Sequence, residues 1–412
     1  MLIIYRFLIN IILLFSPIIL IIRLIKKKED IFRFREKFCI FSKKRGTGRL
    51  VWFHGASVGE IQSIVPIIEK LENESKIKKV LITSNTLSSS KIIKKLKFKK
   101  VVHQFFPIDT NYFSNKFLEF WNPSNVFFID SEIWPNMILN LKRKNIPITL
   151  LNGRITRKTY KRWKKLPNFS KSIFSKINYC YAASNKSKYF LKKLGAQKVK
   201  FIGNLKFSQS EKEKIKINKD LKKLISSRTT WCASSTHNME EKFCGLIHKN
   251  LRKKYKNLLT IIIPRHIERT KAIIRELHKL GLKTQTHEPK MKIDKKIDIY
   301  IVNSYGKTKS FYSLCKNVFL GGSLISHGGQ NPLEATRYGC NILHGPNIDN
   351  FEDIYDFLKK NKISSEVKNH KEAFNKLNKF FEKKSYSVKV KKKLSFIGKK
   401  ILQKTYQEIG LN

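Results

Sequence analysis

The sequence predicts an α/β protein of two doubly wound domains facing one another across a cleft, with a membrane anchor ahead of them. Three observations carry this. Short apolar runs alternate with helix-length amphipathic segments from Leu50 to about Lys206, and again from Thr230 onward. Alternation of that kind means a parallel sheet covered by helices on both faces. A polar, lysine-rich stretch from Ser208 to Arg228 separates the two series, and Leu2 to Ile25 is almost continuously apolar. With 412 residues the chain can hold two cores and one appended segment. The expected divisions are an anchor over 1–28, a first domain over 29–207, a linker over 208–228 and a second domain with C-terminal helices over 229–412.

The anchor is interrupted only by Tyr5, Arg6, Asn10, Ser16, Pro17 and Arg23. Phe7 to Ile22 alone would span ~24 Å as a helix, and the flanks extend that to bilayer thickness. No A-x-A-like site comes after it and the charge sits beyond the apolar run, which argues against a cleaved signal peptide. Lys26-Lys27-Lys28, then Arg33, Arg35 and Lys37, hold the rest of the chain in the cytoplasm. One pass with its N-terminus outside is the expectation. Ile31-Phe-Arg-Phe-Arg35 is expected to add an amphipathic contact with lipid headgroups.

In the first series the strands are expected at Leu50–His54, Val80–Ser84, Val101–Phe106, Val126–Ile129, Ile146–Leu151, Tyr179–Ala183 and Val199–Gly203. Helices such as Ile61–Leu71, Asn136–Lys144 and Lys186–Leu194 lie between them. The second series gives strands at Thr230–Ser234, Leu259–Pro264, Ile297–Val302, Asn317–Leu320 and Asn341–Leu343. Its helices are expected at Met239–Tyr255, Thr270–Leu280, Ser310–Lys316, Pro332–Tyr338 and Phe351–Lys359, with lysine-faced helices over the last fifty residues.

Charge and cysteine bound the chemistry. There are 85 Lys and Arg against 30 Asp and Glu, a formal +55. Such a balance raises nucleic acid first, yet the lysines are spread along the whole chain rather than gathered in one patch. A basic chain is also drawn to anionic membranes and phosphorylated ligands. The cysteines at 39, 180, 232, 244, 315 and 340 show neither C-x-x-C spacing nor a histidine at zinc-finger distance, so reduced thiols are expected, with no metal site. No G-x-S-x-G or Walker A sequence occurs.

The chemistry-bearing phrases all come directly after strands. Trp52-Phe-His54-Gly-Ala-Ser-Val-Gly-Glu60 is not a dinucleotide fingerprint, since Gly55 and Gly59 do not fit it and Glu60 stands where a pyrophosphate wants bare N–H groups. Glu60 is either a dipole partner for the first helical turn or a general base for a hydroxyl acceptor. Asp130-Ser131-Glu132-Ile-Trp134-Pro135-Asn136 again places acids at a strand's carboxyl end, where sites of open α/β sheets lie. Arg154 and Lys206 end later strands with a cation suited to phosphate, or simply solvated. Val318 to Leu320 reads as a buried strand, followed by Gly321-Gly322, by Gly328-Gly329, and by Asn331-Pro332-Leu333-Glu334 opening a helix in a capping-box pattern. That order suits a phosphate or nucleotide site.

The chain resembles the 3-deoxy-D-manno-octulosonic acid (Kdo) transferases of Gram-negative lipopolysaccharide assembly. The resemblance rests on His54–Glu60, Ser131-Glu-Ile-Trp-Pro-Asn136, Asn152-Gly-Arg154, Gly203-Asn-Leu-Lys-Phe207, Ala233-Ser-Ser-Thr-His237, Pro264-Arg-His266, Gly321-Gly-Ser-Leu324, Gly328–Glu334 and the phrase from Gly345-Pro346 through Asn350-Phe-Glu-Asp-Ile354. It implies a two-domain glycosyltransferase fold of the GT-B type, two Rossmann-like domains, with an N-terminal transmembrane anchor in the cell inner membrane and the catalytic domains cytoplasmic. It further implies transfer of Kdo from CMP-Kdo to the lipid A precursor (lipid IVA) with inversion, with no cofactor, no nucleotide-bound metal and no nucleic-acid partner.

Carried over by motif, Glu60 looks like the proton acceptor, and Glu132 and Lys206 like transition-state stabilisers. Pro264, Arg265, Asn331, Pro332, Leu333 and Glu334 look like CMP-binding residues, joined by Tyr305, Gly306 and Lys307, where Lys307 replaces an acid. Ser57, Arg154 and Ser323 are candidate phosphate or acceptor contacts. Gln330 stands where His is usual and Asp130 where Glu is usual. Two other readings compete: a transferase using another nucleotide sugar, and a basic protein that binds nucleic acid or membranes without catalysis.

Overall fold

A computed structural model describes residues 1–209, 219–287, 294, 296–382 and 387–410, so residues 210–218 of the expected linker lie outside the described residues. The chain divides into two compact units, Met1–Ser210 with Ile397–Asn412 and Glu211–Phe396.

The first unit is built on a seven-stranded sheet: β1 (Leu50–His54), β2 (Lys79–Ser84), β3 (Val101–Phe105), β4 (Asn125–Ile129), β5 (Ile148–Gly153), β6 (Tyr179–Ala182) and β7 (Val199–Phe201). Their order is β3-β2-β1-β4-β5-β6-β7, and every pairing is parallel. Alternate residues of β1 and β4 feed two different cores. Trp52, Val126 and Phe128 join one face, and Val51, Phe53, Phe127 and Ile129 the other. Strands buried on both sides read as unbroken apolar runs, which is why the sequence exposes them so plainly.

The second unit repeats the plan with β8 (Thr229–Thr236), β9 (Leu258–Pro264), β10 (Thr284–Thr286), β11 (Ile299–Ile301), β12 (Asn317–Leu320), β13 (Asn341–His344) and β14 (Ser364–Glu366). The order is β10-β11-β9-β8-β12-β13-β14, again all parallel. Strands β10 and β14 were not expected. Each is three residues long and lies at a sheet edge, so neither carries the apolar run that marks a central strand. In each sheet the strand order reverses at one place, between β1 and β4 and between β8 and β12, and ligands of open α/β sheets bind outside the carboxyl ends there.

Two boundaries differ from expectation. Part of the expected linker is the helix Lys219–Ser226, whose Leu221, Leu224 and Ile225 enter the core of the second unit. The long terminal helix Ser387–Ile409 does not stay with that unit. Ile401 is buried among Ile202, Leu205 and other residues of the first core, and Lys200 pairs with Glu408 at 2.8 Å. The second domain expected to run to 412 therefore closes near Phe396.

The apolar helix spans Leu2–Ile25 and is long and apolar enough to cross a membrane. The segment after it is corrected in one respect. Arg33, expected at lipid headgroups, turns inward: its Nε and Nη2 donate to the two oxygens of buried Glu36 at 2.8 and 3.0 Å. Ile31 and Phe32 do face outward, Phe32 87% exposed.

Candidate active site

At the reversal point of the first sheet, β1 and β4 deliver two acidic loops side by side. Ser57 caps the helix Val58–Leu71, its hydroxyl accepting from the Glu60 N–H, and Glu60 closes the capping box. The Ala56 N–H donates to Glu60 Oε2 at 2.7 Å and Ser57 Oγ donates to Oε1 at 2.8 Å. Burial, with Asp130 and Glu132 nearby, pushes the Glu60 carboxyl up to about 7 against these two bonds. The capping reading and the base reading are thus compatible: the cap fixes the side chain, and burial keeps its proton exchangeable near neutrality.

Glu132 is oriented by aromatic neighbours. Trp134 Nε1 donates to its Oε2 at 2.9 Å, and His54 Nε2 lies 3.1 Å from the same oxygen. A carboxylate there calls for a proton on His54 Nε2, leaving Nδ1 to accept from Thr83 Oγ1 at 2.9 Å. Thr83 in turn accepts from the Trp52 indole at 2.8 Å, and His54 stacks on Phe106 at 3.9 Å. The imidazole has one orientation available to it.

Asp130 adopts a left-handed backbone conformation, φ 57°, at the end of β4. Its Oδ2 accepts from Lys206 Nζ at 2.7 Å and its Oδ1 from Asn152 Nδ2. Asn152 Oδ1 accepts the Leu205 N–H at 2.9 Å, on the short turn Leu205–Ser208 that carries Lys206. Three strand ends are thereby tied into one buried ion pair. Arg154 joins them through its N–H, which donates to the Asp130 carbonyl at 2.9 Å.

In the second unit the glycine loop after β12 closes around a carboxylate the sequence marks only as part of a helix start. Glu240, fully buried, accepts from the N–H groups of His237 and Gly322 at 2.9 and 2.7 Å and from those of Ser323 and Leu324 at 3.1 Å each. The amides expected to be bare for an anion at 322–324 are therefore committed to the protein. A side chain at Gly321 would stand 2.6 Å from Glu240 Oε2, so glycine is required there. The missed signal is the one that marks Glu60, an acid just past the carboxyl end of a switch-point strand.

A relative resolves which family this is. The 3-deoxy-D-manno-octulosonic acid transferase of Rickettsia bellii (strain RML369-C) is 32% identical over 381 residues, covering 90% of this chain and 89% of its own. The chain belongs to the Kdo transferase family. The enzyme of the same description from Rickettsia prowazekii (strain Madrid E) is also 32% identical and covers 87% of each chain. The family profile described as 3-deoxy-D-manno-octulosonic-acid transferase (kdotransferase) matches residues 32–209. The fold is shared with the putative UDP-N-acetylglucosamine 2-epimerase of Listeria monocytogenes, at a TM-score of 0.61 and 11% identity over 89% of this chain and 98% of that one. Members of this family are glycosyltransferases, and both sheets have the Rossmann-like form of the GT-B type.

Of the family's expected donor residues, the second unit presents several at its surface. Pro264 ends β9, and Arg265 is exposed, its N–H held by the Thr236 carbonyl at 3.0 Å. Tyr305, Gly306 and Lys307 are exposed, with Tyr305 Oη donating to Glu268 at 3.2 Å and open space beside Gly306. Asn331 Oδ1 accepts from the Leu333 N–H at 3.1 Å, and the helix is short, Leu333–Arg337. The expected capping box is thus one residue shorter than its sequence pattern. Ser323 differs from expectation. It is fully buried, its hydroxyl donating to the Leu320 carbonyl at 2.6 Å and accepting from the Gly345 N–H at 2.8 Å, so it braces the loop rather than reaching a ligand.

Three histidines flank the loop. The rings of His266 and His327 lie 5.9 and 4.6 Å from that of His237, which is itself buried with Nε2 lacking a partner among the described residues. Burial and the neighbouring imidazoles lower the His237 pKa.

Proposed function

We propose that the chain transfers Kdo from CMP-Kdo to a lipid A precursor with inversion, at the cytoplasmic face of the inner membrane. The observation that carries the reading is Glu60: a carboxyl held by Ala56 and Ser57, beside two further acids, with its pKa near 7. A sugar hydroxyl is a poor nucleophile at neutral pH, and a positioned carboxylate base accelerates its attack by roughly 10²–10⁴-fold. Glu60 takes the hydroxyl proton as the oxygen attacks the anomeric carbon, and the bond to the CMP phosphate breaks.

Charge must be offset at both ends of that displacement. Glu132, aimed by Trp134 and His54, suits the positive charge of an oxocarbenium-like transition state. Lys206, already fixed by Asp130, is preorganised to stabilise negative charge as the phosphate departs. In the second unit Arg265, Tyr305 to Lys307 and Asn331 to Glu334 are assigned to CMP. Arg265 is long, exposed and able to bind a phosphate bidentately. Ser57, exposed at the cap, and Arg154 are assigned to the phosphorylated acceptor.

The test is Glu60→Gln in membranes given CMP-Kdo and lipid A precursor, with the lipid product weighed by mass spectrometry. Transfer should fall at least ~100-fold while CMP binding persists, and near-normal turnover would remove Glu60 from its role. Competition by CMP but not by UDP separates this donor from another nucleotide sugar.

A further inference from the structure

The apolar helix Leu2–Ile25 protects one stripe and exposes the rest. Tyr5, Ile9, Leu13, Ser16, Leu20 and Leu24 are its sheltered positions, Ser16 and Leu20 buried. They recur every three or four residues, which is one face of a helix. Around the remaining circumference Ile3 is 82%, Leu14 74% and Ile25 76% exposed.

Both ends of this helix are bound to the same folded unit. At the first turn Tyr5 Oη donates to Asp109 Oδ2 at 2.7 Å, and Arg6 donates to Asn136 Oδ1 at 2.9 Å and Asn111 Oδ1 at 3.1 Å. At the last turn Arg23 and Lys37 both donate to Glu29 Oε1 at 2.6 Å, and Glu36 just beyond accepts the Phe105 N–H at 2.8 Å. A helix of this length reaches ~36 Å, enough to cross a bilayer only if its two ends stand on opposite sides. A water-soluble α/β unit occupies one side. Crossing would strip Tyr5 and Arg6 from Asp109 and Asn136, leaving buried polar groups without partners.

We propose that this helix lies in the plane of the membrane, its sheltered stripe on the first unit and its exposed face in the acyl region of a single leaflet. It is a monotopic anchor in place of the single pass expected from the sequence. The surroundings suit an anionic leaflet. Lys26, Lys27 and Lys28 are exposed at one end. At the other, Tyr5 lies 6.1 Å from Phe169, which stacks with Trp163 of the basic helix Arg157–Lys164, a helix with no buried residue. An apolar face bordered by lysine and arginine is the pattern of an interfacial helix. Asp109 also accepts the N–H groups of Asn136 and Met137, so the anchor is bonded to the segment just after Glu132. Nothing in this placement depends on the identity of the donor.

The native cysteines Cys39, Cys180, Cys232, Cys244, Cys315 and Cys340 are all buried, which lets single introduced thiols report cleanly. Ile3→Cys, Leu14→Cys and Ile25→Cys, each carrying a bimane fluorophore on the full chain, are to be reconstituted in phosphatidylethanolamine–phosphatidylglycerol vesicles with shallow or deep lipid quenchers. The expected result is a similar shallow depth at all three positions, with quenching ratios equal within about twofold. A Leu14 probe near the bilayer centre with the other two at the interfaces would overturn the proposal. So would absence of quenching at all three, which would mean that a second copy of the chain covers this face. A cysteine in a hydrophilic tag ahead of Met1 gives an independent reading. It should react with an impermeant maleimide in inverted inner-membrane vesicles, whereas reaction in intact spheroplasts would contradict an in-plane helix.

Discussion

Glu60 is a carboxyl pulled in two directions. Burial and the charges of Asp130 and Glu132 raise its pKa, while the bonds from Ser57 and Ala56 lower it, and the balance rests at about 7. Only the ionised form accepts a proton, so kcat/KM for transfer should rise through pH ~7 and level above it. Glu132→Gln removes one opposing charge and should shift that rise to lower pH while lowering the plateau. A rise that stays in place would mean the limb belongs to another group. The stability sign is opposite. The folded pKa exceeds the ordinary 4.5, so between those values the native state keeps a proton that the unfolded chain has lost, and stability falls as pH rises to about 7. Glu60→Gln removes that penalty. It should be inactive yet more stable at pH ~8, by up to ~3 kcal/mol, a gain absent at pH ~4, as melts in detergent can show.

The glycine loop after β12 is an element that holds its shape through one side chain. Glu240→Gln puts an amide where four backbone N–H groups converge, so one end of the side chain now offers hydrogen where hydrogen already points. The expected cost is about 2–3 kcal/mol, with CMP binding weakened tenfold or more because the loop carries the donor segment. Calorimetry and titration measure both, and an unchanged melt would free the loop from dependence on Glu240. The loop shows how far local pattern reaches. Strand β12, the two glycine pairs and a helix near Pro332 are legible because glycine, proline and asparagine have strong local preferences. That the loop amides serve Glu240, about eighty residues earlier, is not legible, because a capping acid reads the same whether it bonds its own helix or a distant loop.

The two units are held together in sequence by a chain that leaves the first and returns to it. Ile401 packs into the first core, and a Cβ on Gly203 would stand 2.8 Å from its side chain. Ile401→Asp should therefore lower the stability of the first unit by roughly 2–4 kcal/mol although the residue lies at the far end of the chain. Limited proteolysis that released the first unit would register this, and a variant that lost only the second unit would contradict it. The formal +55 acts at this scale as well. It draws the whole protein to anionic surfaces without specifying one, so salt should weaken vesicle binding by the exposed lysines, while the apolar helix keeps a residual, salt-insensitive attachment.

The sequence by itself determined the two parallel sheets, the order of their main strands and the placement of Glu60, Glu132, Lys206 and Arg265 at or just past strand carboxyl ends. Apolar periodicity and turn residues are local properties, and parallel α/β topology converts them into one functional edge for each sheet. Only the tertiary structure decided which neighbour each of these groups meets. It turned Arg33 inward to Glu36, spent Ser323 on its own loop, and returned the terminal helix to the first unit. It also laid the apolar helix along that unit through Tyr5 and Arg6. Hydrophobicity states that a surface must leave water, whereas whether protein or lipid receives it depends on contacts between residues far apart in the chain.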